Sequence, residues 1–483
     1  MEYVNPLGKE KISKLLIKFS VPAIVGMTVN ALYNIVDRIF IGNSSDLGSY
    51  GLAGITIGFP IMIVLMSIGI LFGIGGATLF SIKLGENKLE EAENILGNAF
   101  VILIISGFIF MILGNIFLEP LLSLFGASKV VLPYAIEYMR VIFFGSIFQV
   151  VSMGLNNFIR ADGNPKIAMI TMFLGAGINV LLDPLFIYVF RMGMTGAALA
   201  TILAQLVTTT WVVMYFIGNR SRNKLKLKYM KLKYNIIISI TSLGLPGFLL
   251  QLASSLLNVI LNKSLFIYGG DIAVSGMGII NSLQTILLMP IVGINQGAQP
   301  IISFNFGAKN YNRVKTAVKL AIVAATIIVI VGFIVTRLFS HQMISFFTND
   351  PKLLEFGSYA LLSWFLFLPI IGFQIISSNF FQAIGKSKSA MFLTLTRQLI
   401  FLIPAIIIFP KFWGIKGLLY AAPFADLLAA LLTGVWFYYG IKNLGEDSVK
   451  NTSSVDSIPD NLDTDKVAML SVDTSITDLR DKN

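Results

Sequence analysis

Apolar residues run in long blocks separated by short polar breaks. Twelve such blocks are read near residues 15–41, 51–83, 97–117, 132–158, 165–190, 194–217, 235–267, 272–304, 314–338, 354–382, 389–409 and 415–441. About 20 helical residues cross a ~30 Å hydrocarbon core. Each block therefore predicts one crossing, and the longer ones tilt, bend or project beyond the bilayer. The fold class this implies is an all-α polytopic membrane protein. Beyond Ile441 the pattern stops. Residues 443–483 hold nine acids and four bases with many Ser, Thr and Asp, the composition of an acidic, disordered cytoplasmic tail.

The blocks also repeat. RADGNPKIAM (160–169) aligns with QAIGKSKSAM (382–391), and GGATLFSIKLGENK (75–88) with GAQPIISFNFGAKN (297–310), both at an offset of 222. LSLFGAS (122–128) and ISFFTND (344–350) match at the same offset, and Pro22 and Pro246 within two residues of it. Two copies of a six-helix unit follow. An even number of spans per copy gives both the same orientation, so a pseudo-two-fold axis lies along the membrane normal, with a substrate path between two lobes. The expected boundaries are an N-terminal lobe over 1–218, a basic cytoplasmic linker over 219–233 (NRSRNKLKLKYMKLK), a C-terminal lobe over 234–442 and the tail over 443–483. The linker reads as a polar connector whose charges meet anionic headgroups.

Composition agrees with the pattern. Hydrophobic residues make up 55% and charged residues 13%, against about 25% charged in soluble domains. The net charge of +11 would suit nucleic acid, but the lysines and arginines concentrate in alternate loops, as orientation in a bilayer requires, and place both termini in the cytoplasm. The N-terminus lacks a cleavable signal peptide, so the first block is expected to remain as a helix. With no Cys, the chain has no disulfide, thiolate metal site or cysteine nucleophile. A single histidine, His341, argues against a His-based zinc site. No GxxxxGK[ST] sequence is present, which excludes ATP hydrolysis by that route.

Candidate chemistry lies inside the blocks. Asn179 and Asp183 share one helical face in the middle of an apolar span. A carboxylate there costs at least ~2.5–3.5 kcal/mol on insertion scales, so it should face protein or water. Pro184 cannot donate to the Val180 carbonyl, which leaves another oxygen nearby. Carboxylate, amide and carbonyl oxygens together outline a cation or proton site; the bland alternative is an ion pair with Arg140. In the first span Asn30, Asn34 and Asp37 fall on one face beside Tyr33. Asp37 either joins that site or is a carboxylate near water paired with Arg38. Pro22 makes this helix bendable. Thr201 would add a hydroxyl oxygen. At offset 222, Asn179 falls on Phe401 and Asp183 on Ala405, so the acidic cluster is not needed to build the unit. In the second half Arg397 and Asp426 are expected to form a buried ion pair; a role in coupling is the alternative. Gln251, Gln284, Gln296, Gln299 and Gln374 are read as interhelical hydrogen-bonding groups or, with Met289, as lining of a wet cavity. Glycines at 69, 73, 75, 76, 293 and 297 mark close helix packing or hinges.

The segments VPAIVGMTVNALYNIVDRIFIG, INVLLDPLFI, GINQGAQPIISFNFGAKN and RQLIFLIPAIIIFP resemble the multidrug and toxic compound extrusion (MATE) family, bacterial DinF-like branch, over about residues 10–442. The resemblance implies a two-lobe, 12-helix fold. It also implies an N-lobe cation site at Asp37, Asn179, Asp183 and Thr201, with Asn30, Tyr33, Asn34 and Asn156 in the same network or the drug cavity and Pro22 where helix 1 bends. Some members carry essential acids in helices 7 and 10, where this chain has only Gln251, Asn258 and Gln374. The function expected is a monomeric antiporter of the bacterial inner membrane. It would export cationic or amphipathic organic compounds in exchange for Na⁺ or H⁺, with no cofactor, no metal beyond possible Na⁺ and no nucleic-acid partner. The alternatives are a flippase for a lipid-linked precursor and an intramembrane aspartyl enzyme.

Overall fold

The computed structural model describes residues 6–44 and 47–445, except for the side chain of Asn34. The chain divides into two units after Phe437, and of the second the structure describes residues 438–445. Most of the expected tail (446–483) lies outside the described residues.

Twelve crossings are present among the described residues. Five are single helices: α1 (Ile12–Gly42), α2 (Gly48–Gly85), α3 (Leu89–Ile116), α6 (Gly193–Ile217) and α9 (Tyr311–Leu338). Two are bent pairs: α4 (Leu132–Phe144 with Ser146–Ala161, 55°) and α10 (Pro351–Trp364 with Leu368–Ala383, 50°). In α5, Pro165–Pro184 widens into a π turn over Leu185–Val189. The remaining four arise where two longer helical runs break at glycines of positive φ. Gly270 (φ 62°) separates α7 (234–269) from α8 (271–307). Gly414 (φ 56°) separates α11 (387–413) from α12 (415–442).

The backbone carries the repeat more plainly than the sequence does. Left-handed residues pair across the halves at an offset of 222: Gly48 with Gly270, Asn87 with Lys309, Gly163 with Gly385. A side chain at such φ is strained, so glycine is the usual occupant. The two bent crossings end at Ala161 and Ala383, again 222 apart. The short helices Leu118–Leu124 and Ser340–Ser345 begin 222 apart.

The six-helix lobes meet about the same axis. A Cβ on Gly85 of α2 would strike the carbonyl oxygen of Phe304 in α8, and one on Gly307 of α8 would strike that of Ile82 in α2. These two contacts exchange under the 222-residue shift. Gly293 and Gly297 of α8 lie against Ile24 and Ser20 of α1, on either side of Pro22, through which α1 continues unbroken. Gly75 of α2 and Gly244 of α7 form the matching contact. Bare backbone thus lets the lobes touch closely, as it does wherever membrane helices pack at small residues.

The linker is a packed strap rather than only a polar connector. Asn98 at the start of α3 donates to the carbonyls of Tyr229 and Lys231 (3.2 Å each) and accepts from the Lys233 N–H (2.7 Å). Glu93 accepts from the Lys224 N–H (2.8 Å) and Lys226 Nζ (2.6 Å). Asp162 accepts from Tyr215, Ser221 and Asn223 at 2.6–2.7 Å. Burial raises the Asp162 carboxyl above its usual range, against the pull of those three donors. The expected third span began at 97. Helix α3 instead starts at Leu89, because its polar first turns hold this strap. The segment before α1 is pinned in the same way on the other lobe: Asn305 Nδ2 and Arg313 Nη2 both donate to the Leu7 carbonyl at 3.0 Å. Leu7 and Tyr229 are themselves 222 apart.

This packing predicts the effect of one added side chain. Overpacking costs ~1–3 kcal/mol, and 1.4 kcal/mol is tenfold in an equilibrium. With Ser303→Cys as the single thiol of a cysteine-free chain, Gly307→Val should raise the maleimide labelling rate about tenfold. An unchanged rate would show that this contact does not hold the lobes together.

Candidate functional site

A cavity of about 390 Å³ opens in the N-terminal lobe between α1, α2, α4, α5 and α6, and α8 contributes Met289 and Gln296 to its wall. Asp37, Asn179 and Thr201 stand on the wall, and Asp183 lies behind them with no exposed surface. Asn179 Nδ2 faces both Asp183 Oδ1 (3.4 Å) and Thr201 Oγ1 (3.3 Å). Thr201 also donates to the Ala197 carbonyl (3.2 Å). The carboxyls of Asp37 and Asp183 are in hydrogen-bonding contact with each other.

Local structure explains how they converge. The i, i+4 spacing stacks Asn179 over Asp183 on the inner face of α5. The π turn directly after Pro184 changes the helix phase there, a feature frequent at functional sites. Gly26 of α1 sits where any Cβ would press on Met172, so α1 approaches α5 closely enough for Asp37 to reach Asp183. At its far end α1 is tied to α5 by the Tyr188 hydroxyl, which donates to the Phe40 carbonyl (2.7 Å).

The site is rich in acceptors. Asp37 Oδ1, Asn179 Oδ1 and Asp183 Oδ2 are buried, and no donor among the described residues reaches them. Two ionised carboxylates in contact repel strongly at low dielectric. The arrangement is relieved by one proton shared between them or by one hard cation among the oxygens. Among the described residues, neither Arg38 nor Arg140 pairs with these acids. Arg38 stacks on Phe59 with its guanidinium 5.3 Å from the ring centroid, and Arg140 is exposed. No group of three or more His, Cys, Asp or Glu that could hold a metal occurs among the described residues.

Of the other residues singled out from sequence, Asn30, Tyr33, Asn156 and Met289 line the cavity. With its amide oriented to satisfy both neighbours, Asn156 donates to the Ala168 carbonyl (3.1 Å) and accepts from Arg160 (3.3 Å), tying α4 to α5. The Asn34 side chain lies outside the described residues. Gln251, Gln284 and Gln374 are not on this wall; Gln284 accepts from the Trp364 indole at 3.2 Å and Gln374 is buried in α10. Arg397 Nε donates to Asp426 Oδ1 at 2.6 Å in the other lobe. Shifted by 222, that pair falls on Gly175 and Ala204, both of which line the N-lobe cavity. The C-terminal lobe thus carries an ion pair at positions whose counterparts line the N-terminal cavity.

Sequence reading missed Tyr138, which is buried at the cavity wall, close to Thr201 and both aspartates. It also missed Gln205, which accepts from Ser152 at 2.8 Å on the cavity wall. Tyr138 precedes the bend of α4. A tyrosine near a helix end ordinarily reads as an interfacial anchor, and only the bend turns it inward.

Two helical lobes with a polar cavity within the membrane define a transporter rather than an enzyme. The MatE family model matches the chain twice, over residues 22–185 and 246–407, with segment ends 222 residues apart. The chain belongs to the MATE family. It is 27% identical over 423 residues to the multidrug export protein MepA of Staphylococcus aureus (strain MRSA252), covering 88% of this chain and 93% of that one. Its fold matches the solved structure of the MATE multidrug transporter DinF-BH at TM-score 0.84 and 38% identity, over 92% of this chain and 98% of that one. It also matches an outward-facing multidrug resistance MATE transporter at TM-score 0.86 and 26% identity, over 92% and 98%.

The carboxyl contact predicts an unusual stability effect. Removing one partner of a buried salt bridge destabilises by about 3–5 kcal/mol. Removing one of two contacting carboxylates relieves repulsion instead. Asp183→Asn should therefore raise the thermal unfolding midpoint of the purified protein. A marked fall would mean that Asp183 is balanced by a cationic side chain.

Proposed function

We propose that this protein is a secondary active antiporter. It exports cationic or amphipathic organic compounds from the cytoplasm in exchange for Na⁺ or H⁺, with coupling at Asp37 and Asp183. One observation carries the reading: Asp37 stands on the wall of the cavity in which a drug would sit, with the Asp183 carboxyl directly behind it. A cationic drug and a coupling ion then compete for one cluster of negative charge. Each favours a different state of the lobes, which is what exchange requires thermodynamically.

The cavity suits varied substrates. Six methionines line it (Met27, Met62, Met66, Met153, Met172 and Met289), and flexible thioethers repack around differently shaped apolar ligands. The names of MepA and DinF-BH as multidrug transporters support the same substrate class. The lobes pack closely at the end that carries the N-terminal segment and the basic linker. By the positive-inside rule that end is cytoplasmic, so both termini face the cytoplasm of a bacterial inner membrane and the described state is outward-facing. The chain acts as a monomer, since each lobe supplies the other's partner. A lipid-precursor flippase is the weaker reading, because Arg38 is the one basic residue on this cavity wall.

Dye efflux from sensitised cells, driven separately by Na⁺ and proton gradients, tests the proposal. Wild type should respond to at least one gradient. Asp37→Asn and Asp183→Asn should each lose at least ten-fold in that gradient-driven rate, the scale of losing a charged partner worth ~1.5–3 kcal/mol. Normal efflux by both variants under both gradients would place coupling elsewhere.

A further inference from the structure

A second polar pocket lies where the lobes meet. Arg160, in the last turn of α4, is 5% exposed. Among the described residues it has no carboxylate partner. It donates to Asn157 Oδ1 at 2.5 Å, and to Asn156 when that amide takes its satisfied orientation. A buried charge without a counter-charge is costly, and the C-terminal end of a helix offsets only part of that cost. The guanidinium borders a pocket of about 20 Å³ whose wall also includes Thr78 and Asn157 from the N-terminal lobe and Gln296, Gln299 and Ser303 from α8. That is room for one particle of water size. Gln299 Nε2 donates to Thr78 Oγ1 at 2.8 Å, which leaves its second N–H and the Thr78 hydroxyl hydrogen available. Arg160 likewise has more N–H groups than these two acceptors use.

The repeat supplies a control. Arg160 shifted by 222 is Gln382, also buried, which donates to the Leu243 carbonyl at 2.7 Å. The six-helix unit is thus built with a neutral side chain at this position, and the charge in the first half is an addition to it.

We infer that this pocket binds one small monovalent anion of halide size, held by Arg160, Gln299 and Thr78 and separate from the carboxylate pair. Its walls come from both lobes, so the anion favours their packed arrangement. It also sits beside Gln296, which borders the larger cavity as well.

The test uses the full chain purified in detergent, with Na⁺ and ionic strength constant and gluconate exchanged for chloride or bromide. The thermal midpoint should rise by a few degrees and saturate with halide. Arg160→Gln should abolish that rise. Should Arg160→Gln not fold, Gln299→Ala keeps the charge and should shift the half-saturating halide concentration about ten-fold. Bromide-soaked crystals should show anomalous density beside the guanidinium. An equal halide response in wild type and variant, or a water with no halide peak at Arg160, overturns the assignment.

Discussion

Two carboxyl groups in contact inside a membrane protein form an arrangement that no apolar packing explains. Asp37 and Asp183 sit on different helices, and each is buried. Their mutual repulsion is set by the low dielectric around them. A proton or a small cation relieves it, and either is a species that a membrane gradient can supply. The surrounding features serve this contact. Gly26 lets α1 approach α5, the π turn after Pro184 sets the phase of α5, and Asn179, Thr201 and Tyr138 surround the acids with hydrogen-bonding groups.

The repeat shows that the contact is particular to one lobe. The same six-helix unit occurs twice, down to matched left-handed residues and exchanged glycine contacts. Yet at the positions of Gly175 and Ala204, which line the cavity, the second copy has Arg397 and Asp426, an ion pair. A buried pair of opposite charges is self-compensated and calls for no external ion. A buried pair of like charges is not. The same frame thus carries a like-charged pair in one lobe and an oppositely charged pair in the other.

Much of this was legible in the residues. All twelve crossings follow from length and hydropathy, because a bilayer imposes both. The repeat was visible because close backbone contacts at 85 and 307 and left-handed turns at 163 and 385 demand glycine. Asp183 stood out because a carboxylate in an apolar span is expensive. What was hidden depends on tertiary geometry. The bend in α4 has no proline at its break, and at the bend of α10 Pro369, in the first turn of the second half-helix, reads equally well as a residue within one long span. The linker reads as a charged surface stretch, although Asn98, Glu93 and Asp162 fold it onto the N-terminal lobe. Tyr138 and Gln205 reach the cavity through helix phases that local pattern does not set.

The central claim is that drug and ion compete for the Asp37–Asp183 pair. Calorimetric binding of a cationic dye to the purified transporter, repeated in buffers of differing ionisation enthalpy and with and without Na⁺, tests it most directly. The account predicts that dye binding either releases close to one proton or weakens as Na⁺ rises, with that linkage lost in Asp183→Asn. Dye binding that releases no proton and is indifferent to Na⁺ would contradict it.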